Sequence, residues 1–143
     1  MEYIPITHKF VAVLNKKIPS GNLMNALAHA TAGLAASYAV PTEMRFGSYI
    51  DKDGNEHNSI SDNPYIILRA DNSNKIRTLR SALIENGIYF TDFTDTMIVG
   101  TYAEQKERTS NTPEEELEYY AICMFGETEK LNELTKKFSL WRD

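Results

Sequence analysis

An α/β domain is expected from three places where a short apolar run meets a segment of helical period. Phe10 to Leu14 leads through a polar turn into the alanine-rich stretch Gly21 to Ala39. Pro64 to Ala70 (PYIILRA) is followed by Ile76, Leu79 and Leu83 at helical spacing, and then by the apolar run Ile88 to Phe93. Tyr119 to Phe125 (YYAICMF) precedes Leu131, Leu134 and Phe138. Strand-like and helix-like segments in alternation are the mark of a sheet that carries helices on its faces.

Taken in order, Met1 to His8 reads as a lead-in. Phe10 to Leu14 is a continuous apolar run of the kind found in strands covered on both faces. Asn15 to Pro19 is polar, and Pro19, Ser20 and Gly21 mark the break before the first helix. That helix carries mostly small side chains, with Gly33 near its middle, and so is expected to lie close to the sheet at the centre of the fold. Val40-Pro41-Thr42 ends it, because proline disfavours helix at the residue before it. Phe46 to Ile50 and His57 to Ile60 flank Asp51-Lys52-Asp53-Gly54-Asn55-Glu56, whose Asp-Gly and Gly-Asn pairs predict an exposed hairpin.

Pro64 begins the next strand at a position that needs no ladder donor. Asp71, Asn72 and Ser73 are all competent N-caps for the second helix, and Gly87 sits where a C-terminal glycine belongs. Residues 64–93 thus form a strand–helix–strand unit. Thr101 to Asn111 is polar without a dominant period and predicts a surface loop. Thr112-Pro113-Glu114-Glu115 combines a cap, a first-position proline and first-turn glutamates, which predicts a short helix. Tyr119 to Phe125 is a fourth strand. A terminal helix through Leu131, Leu134 and Phe138 follows, with Leu140 and Trp141 tucking its end against the body. No repeat, linker or low-complexity tract interrupts residues 1–143, so one domain is expected.

Bulk composition narrows the function. A chain of 143 residues is long enough to bury a core, and 42% hydrophobic with 24% charged residues is the balance of a soluble globular protein. No apolar run approaches the ~18 residues of a membrane span. The start MEYIPITHKF lacks the basic-then-apolar pattern of a signal peptide. The single cysteine, Cys123, has no internal disulfide partner, which fits a reducing compartment. A cytoplasmic protein without a membrane partner is expected. The net charge is −5 and the sequence pI is about 5.2. Lys and Arg are dispersed, with small groups only at Lys16–Lys17, Arg77–Arg80 and Lys136–Lys137. Such a field repels phosphate backbones and argues against a nucleic-acid partner.

Two constellations carry candidate chemistry. The start of the first helix, at Ser20, Gly21 and Asn22, would present free N–H groups and a positive dipole end to a carboxylate or phosphate. Asn22, Asn25 and His29 step by three and four and share a helical face. The competing reading is that Ser20 or Asn22 caps the helix and Asn25 faces solvent. His29 has the titration range of a general base, near ~6.5, but a hydrogen-bonded structural histidine is the commoner outcome. The second constellation is Asp92 and Thr96 at a strand end, with Asp95 adding a like charge. A carboxylate there would orient water or an amine with the hydroxyl beside it. Alternatively, both side chains form a local Asx or ST turn.

The remaining motifs read as structural. Cys123 between Ile122 and Met124 is a buried, inert thiol. His8, His29 and His57 lack ligand spacing, and Asp51 to Asn55 is a turn rather than a calcium loop, so no metal is expected. No phosphate-loop or dinucleotide glycine pattern exists, and no cofactor is expected.

The strand followed by an alanine-rich helix containing Ala28-His29-Ala30, together with Asp92-Phe93-Thr94-Asp95-Thr96 after a strand, resembles peptidyl-tRNA hydrolases of the second type. The stretches KFVAVLNKKIPSGNLMNALAHATAGL, PYIILRADNSNKIRTLR, DFTDTMIVGTYAEQ, LEYYAICMFG and LTKKFSLWR carry a closer resemblance. On them, and over nearly all of its length, the chain is identified as a member of the bacterial family called domain of unknown function 2000. The resemblance implies a peptidyl-tRNA hydrolase II-like, three-layer α/β/α sandwich around a four-stranded mixed sheet with one antiparallel strand. It also implies where the chemistry departs. Matching on Ala28-His29 puts Asn22 where the hydrolases carry lysine and Ala26 where they carry glutamine. Asp92 and Thr96 keep the later pair, but Met97 stands where the hydrolases have glutamine. The cationic partner of a hydrolase site is therefore missing.

Three functions are then in view. The preferred one is a ligand-binding or regulatory module that takes a small anionic ligand at Ser20, Gly21, Asn22, Asn25 and His29, with Asp92 and Thr96 as further contacts. The alternative is an ester or amide hydrolase, in which Asp92 positions water, Thr96 assists and Asn22 stabilises an oxyanion. The third is self-association, as a homodimer, with Tyr119, Tyr120 and Trp141 available for an apolar contact, although such aromatics are equally common in cores. Whether the chain is an enzyme is left open by the residues alone.

Overall fold

The computed structural model describes residues 3–142, so Met1, Glu2 and Asp143 lie outside the described residues, as does that part of the expected lead-in. Strand β1 (His8–Asn15) turns into helix α1 (Ser20–Ser37). A hairpin of β2 (Phe46–Ile50) and β3 (Glu56–Ser61) follows. Next come β4 (Tyr65–Ala70), α2 (Ser73–Glu85) and β5 (Tyr89–Thr94). The chain continues through α3 (Tyr102–Ser110), β6 (Tyr119–Glu127), α4 (Thr128–Thr135) and β7 (Ser139–Leu140).

The main sheet has the order β5-β6-β1-β4-β7. β1 and β4 run parallel, and β6 lies antiparallel between β1 and β5. Sequence reasoning expected four strands; the sheet has five. The fifth, β7, adds two residues antiparallel to the outer edge of β4, with Leu68 opposite Leu140 and Arg69 opposite Ser139. The expected terminal helix stops early at Thr135, the Phe138 N–H closes a turn onto the Thr135 carbonyl at 3.0 Å, and the Trp141 N–H extends the pairing to the Ile67 carbonyl at 2.9 Å. A two-residue strand has no period to read, but it covers an otherwise open sheet edge.

Side chains alternate between the two faces of this sheet. On one face Phe10, Ala12, Phe93 and Phe125 pack under Leu23, Ala26, Ala30 and Leu34 of α1. On the other, Val11, Val13, Ile122 and Met124 pack under Ile76, Leu79 and Leu83 of α2 and Leu131 of α4. The result is three layers. Tyr119 and Tyr120, read as available for a dimer contact, are core residues only 1% and 7% exposed, because β6 is central and covered on both sides.

Local signals explain most boundaries. The Asn72 side chain caps α2 by accepting the Lys75 N–H at 3.1 Å. Its far end closes through Gly87 at φ 64°, with Gly87 N–H bound to the Ile84 carbonyl and Ile88 N–H to that of Leu83. The hairpin turn is set by Asp51, whose carboxylate accepts the N–H groups of Asp53 and Asn55, each at 3.0 Å. Among the described residues no helix is long and apolar enough to cross a membrane.

Candidate ligand-binding crevice

The segment expected to be a loop is helix α3, and it builds one wall of a crevice. Its start is specified locally. Gly100 takes φ 88°, which admits glycine without strain, and an added Cβ would meet Glu104 Oε1 at 3.1 Å. Thr101 Oγ1 then accepts the Glu104 N–H at 3.2 Å, and Glu104 Oε1 accepts the Thr101 N–H at 3.0 Å. This reciprocal capping box replaces the missing apolar period. The hydrogen bonds from Thr101 hold the Glu104 carboxyl below its ordinary range. Arg108 ties the helix to the preceding turn by donating to the carbonyls of Thr96 and Val99, each at 3.0 Å. None of the residues of α3 is buried.

Between α3, α1 and the edge strand β5 lies a cavity of about 850 Å³. Its buried or half-buried lining is Ala30, Phe93, Met97 and Ile98, with Gly33 and Thr91 beside them. Its more exposed lining includes Asn25 and His29 from α1 and Tyr102 and Lys106 from α3, with half-buried Gln105. The His29 ring lies 6.0 Å from that of Phe93, and Lys106 Nζ lies 5.5 Å over the Tyr102 ring. Lys106 is thus held by a cation–π contact at the mouth of an apolar recess.

The sequence-predicted residues separate here. Asn25 and His29 share this crevice. Ser20, Gly21 and Asn22 are exposed at the helix start and do not line it. No side chain caps that start: Pro19 is the N-cap, and its carbonyl accepts the Leu23 N–H at 3.1 Å. Asp92 borders the crevice, yet its carboxylate accepts from Arg80 Nε at 3.1 Å. The alternation along β5 explains this. Thr91 faces α1, donating to the Ala30 carbonyl at 2.7 Å, and Phe93 packs on the same side, so Asp92 points toward α2. Burial alone would lower the Arg80 pKa, but the hydrogen bond and charge of Asp92, with Tyr119 and Glu114 nearby, raise it.

Thr96 is 4% exposed, and its hydroxyl is shared between Thr94 Oγ1 and Thr109 Oγ1, each at 2.8 Å. Asp95 braces the turn by accepting the Glu118 N–H at 3.0 Å. Cys123 is fully buried in β6, and burial pushes its thiol up. Among the described residues no three His, Cys, Asp or Glu side chains stand together as a metal site. Sequence reasoning missed Tyr102, Gln105 and Lys106. The one signal that pointed to them was Thr101-x-x-Glu104, a helix start hidden in a polar stretch.

A solved protein of unknown function from Agrobacterium tumefaciens strain C58 superposes with a TM-score of 0.81 at 19% sequence identity, over 95% of this chain and 98% of that one. At that identity the likeness establishes the fold. No curated protein matches the chain. The family model described as protein of unknown function (DUF2000) matches residues 8–142, and the chain belongs to that family.

Proposed function

We propose that this DUF2000 domain is a ligand-binding or regulatory module whose α1–α3 crevice takes a small carboxylate with an apolar body. The observation that carries the reading is one cation, Lys106, at the mouth of a recess formed by Ala30, Phe93, Met97 and Ile98. One cation matches a monoanion, and Asn25 and Gln105 offer amide groups that fix orientation. Small-molecule sites combine these features, an apolar body with a few convergent polar groups, in cavities of roughly 300–1,000 Å³. A longer ligand passing Asn25 would reach the uncapped N–H groups at Ser20, Gly21 and Asn22. In this reading the protein is cytoplasmic, where its single cysteine, the free buried Cys123, stays a thiol.

A hydrolase of esters or amides, in the manner of the peptidyl-tRNA hydrolases, is the second reading, and Asp92 at the crevice border favours it. It is the weaker one, because Arg80 and the threonine cluster already engage Asp92 and Thr96. Titration with phenylacetate, followed by amide NMR, tests the first reading. Shifts should concentrate at residues 25–33, 91–98 and 102–110, and Lys106→Glu should weaken binding about tenfold or more. An unchanged affinity in Lys106→Glu would sink it. Peptidyl-tRNA turnover that collapses in Asp92→Asn would install the hydrolase instead.

A further inference from the structure

On the opposite face of the sheet, α2 and the α4–β7 segment enclose a second cavity of about 520 Å³. Lys75, Thr78, Leu79 and Ala82 line it as a single stripe of α2, spaced by three and four. Leu134 and Phe138 complete its apolar lining, and Arg69, Lys136 and Lys137 add charge. The chain as a whole is acidic, at −5, yet this cavity is not.

Its two carboxylates are already neutralised. Asp71 pairs with Lys16 at 3.0 Å and Glu133 with Lys136 at 2.6 Å. Lys16 holds the Asp71 carboxyl below its ordinary range, with Lys75 and Arg69 adding to the effect. Arg69, Lys75 and Lys137 themselves have no ion pair within 4.0 Å among the described residues. Arg69, Lys75 and Lys137 line one recess whose charged groups sum to a positive balance, and an anion entering it is attracted by all three. A carboxylate brings one charge. A phosphate monoester brings about −1.5 to −2 at neutral pH and three acceptor oxygens, which suits three separate cations better.

We propose that the cavity between α2 and the α4–β7 segment is a binding site for a phosphate monoester with an apolar or aromatic body. The phosphate sits among Arg69, Lys75 and Lys137, and the body lies on Leu79, Leu134 and Phe138. The site is independent of the α1–α3 crevice, which lies across the sheet.

Phenyl phosphate is the probe, titrated by amide NMR at low and at physiological salt beside inorganic phosphate. Saturable shifts should map to residues 69–82 and 133–139, and affinity should fall with salt. Phenyl phosphate should bind more tightly than inorganic phosphate, and excess phenylacetate should not displace it. The double variant Lys75→Glu/Lys137→Glu should weaken binding at least tenfold. Lys75→Gln/Lys137→Gln, which removes charge without reversing it, should weaken it to a lesser degree. Shifts that map to the α1–α3 crevice, affinity unmoved in both double variants, or no saturable binding would each overturn the proposal. Equal affinity for inorganic phosphate would overturn the monoester in favour of the free ion.

Discussion

The two faces of the sheet are packed by opposite means. The α1 face brings Ala26 and Ala30 onto the strands and relies on closeness. The α2 face uses Ile76, Leu79 and Leu83, with Leu131 from α4, and relies on bulk. Each face also has its own cavity, one with a single cation from α3 and the other with three cations that have no ion pair among the described residues. The difference teaches that helix side-chain size and surface charge are assigned face by face, so a mutation's sign depends on which layer it enters.

Core substitutions should separate the faces most strongly. Leu83 of α2, fully buried against the sheet, should cost about 2–5 kcal/mol as Leu83→Ala, because the cavity left behind relaxes only in part. On the α1 face the damaging direction is reversed: Ala26, fully buried and away from the crevice lining, should cost about 1–3 kcal/mol as Ala26→Leu by overpacking. Urea unfolding measures both, and a neutral Ala26→Leu would mean that α1 does not lie as close as described. Next in size is Gly33→Ala. The added Cβ meets only Thr91 Cγ2 at 3.8 Å, so the better helix former should stabilise by about 0.5–1 kcal/mol. A loss of stability would show that the α1 face tolerates no added methyl even at its edge.

The smallest expected effect concerns the crevice wall. The Glu104 carboxyl is depressed in the folded state below 4.5 by its hydrogen bonds to Thr101. Its contribution to α3 is therefore present above the unfolded value and is lost as pH falls through the folded one. Amide NMR of α3 should show an acid-side fraying step in the wild type that is absent in Glu104→Gln. An identical step in both proteins would assign the fraying to another group.

Much of the fold was written in local patterns. The apolar runs of β1, β4, β5 and β6 were readable, as were the hairpin turn at Asp53-Gly54-Asn55, a cap among Asp71, Asn72 and Ser73, and Gly87. Those signals act within a few residues, which is why they survive in the sequence alone. α3 was illegible by hydrophobic period because none of its residues is buried; what stabilises it is the Thr101–Glu104 box and the bonds from Arg108. The direction of Asp92 was illegible too, since its partner Arg80 lies on another element. Tyr120 was open to an interface or a core role in the sequence, and the central place of β6 makes it core. The candidate site was thus half legible: Asn25 and His29 were found by helical spacing, while Lys106 depended on a wall that the period hid.

The central place of β6 has a consequence for synthesis on the ribosome. Its partners are β1, at the other end of the chain, and β5, and those two strands do not touch each other. While the chain emerges, β1 and β4 can pair, but the far edge of β1 stays open and β5 has no neighbour. Only when Tyr119 to Glu127 has cleared the exit tunnel does the sheet become continuous. Joining segments so distant in sequence is slow, and an unpaired apolar strand edge is sticky during the wait. Until β6 arrives, the nascent chain's exposure to aggregation lies along the open edge of β1 and on the unpaired β5.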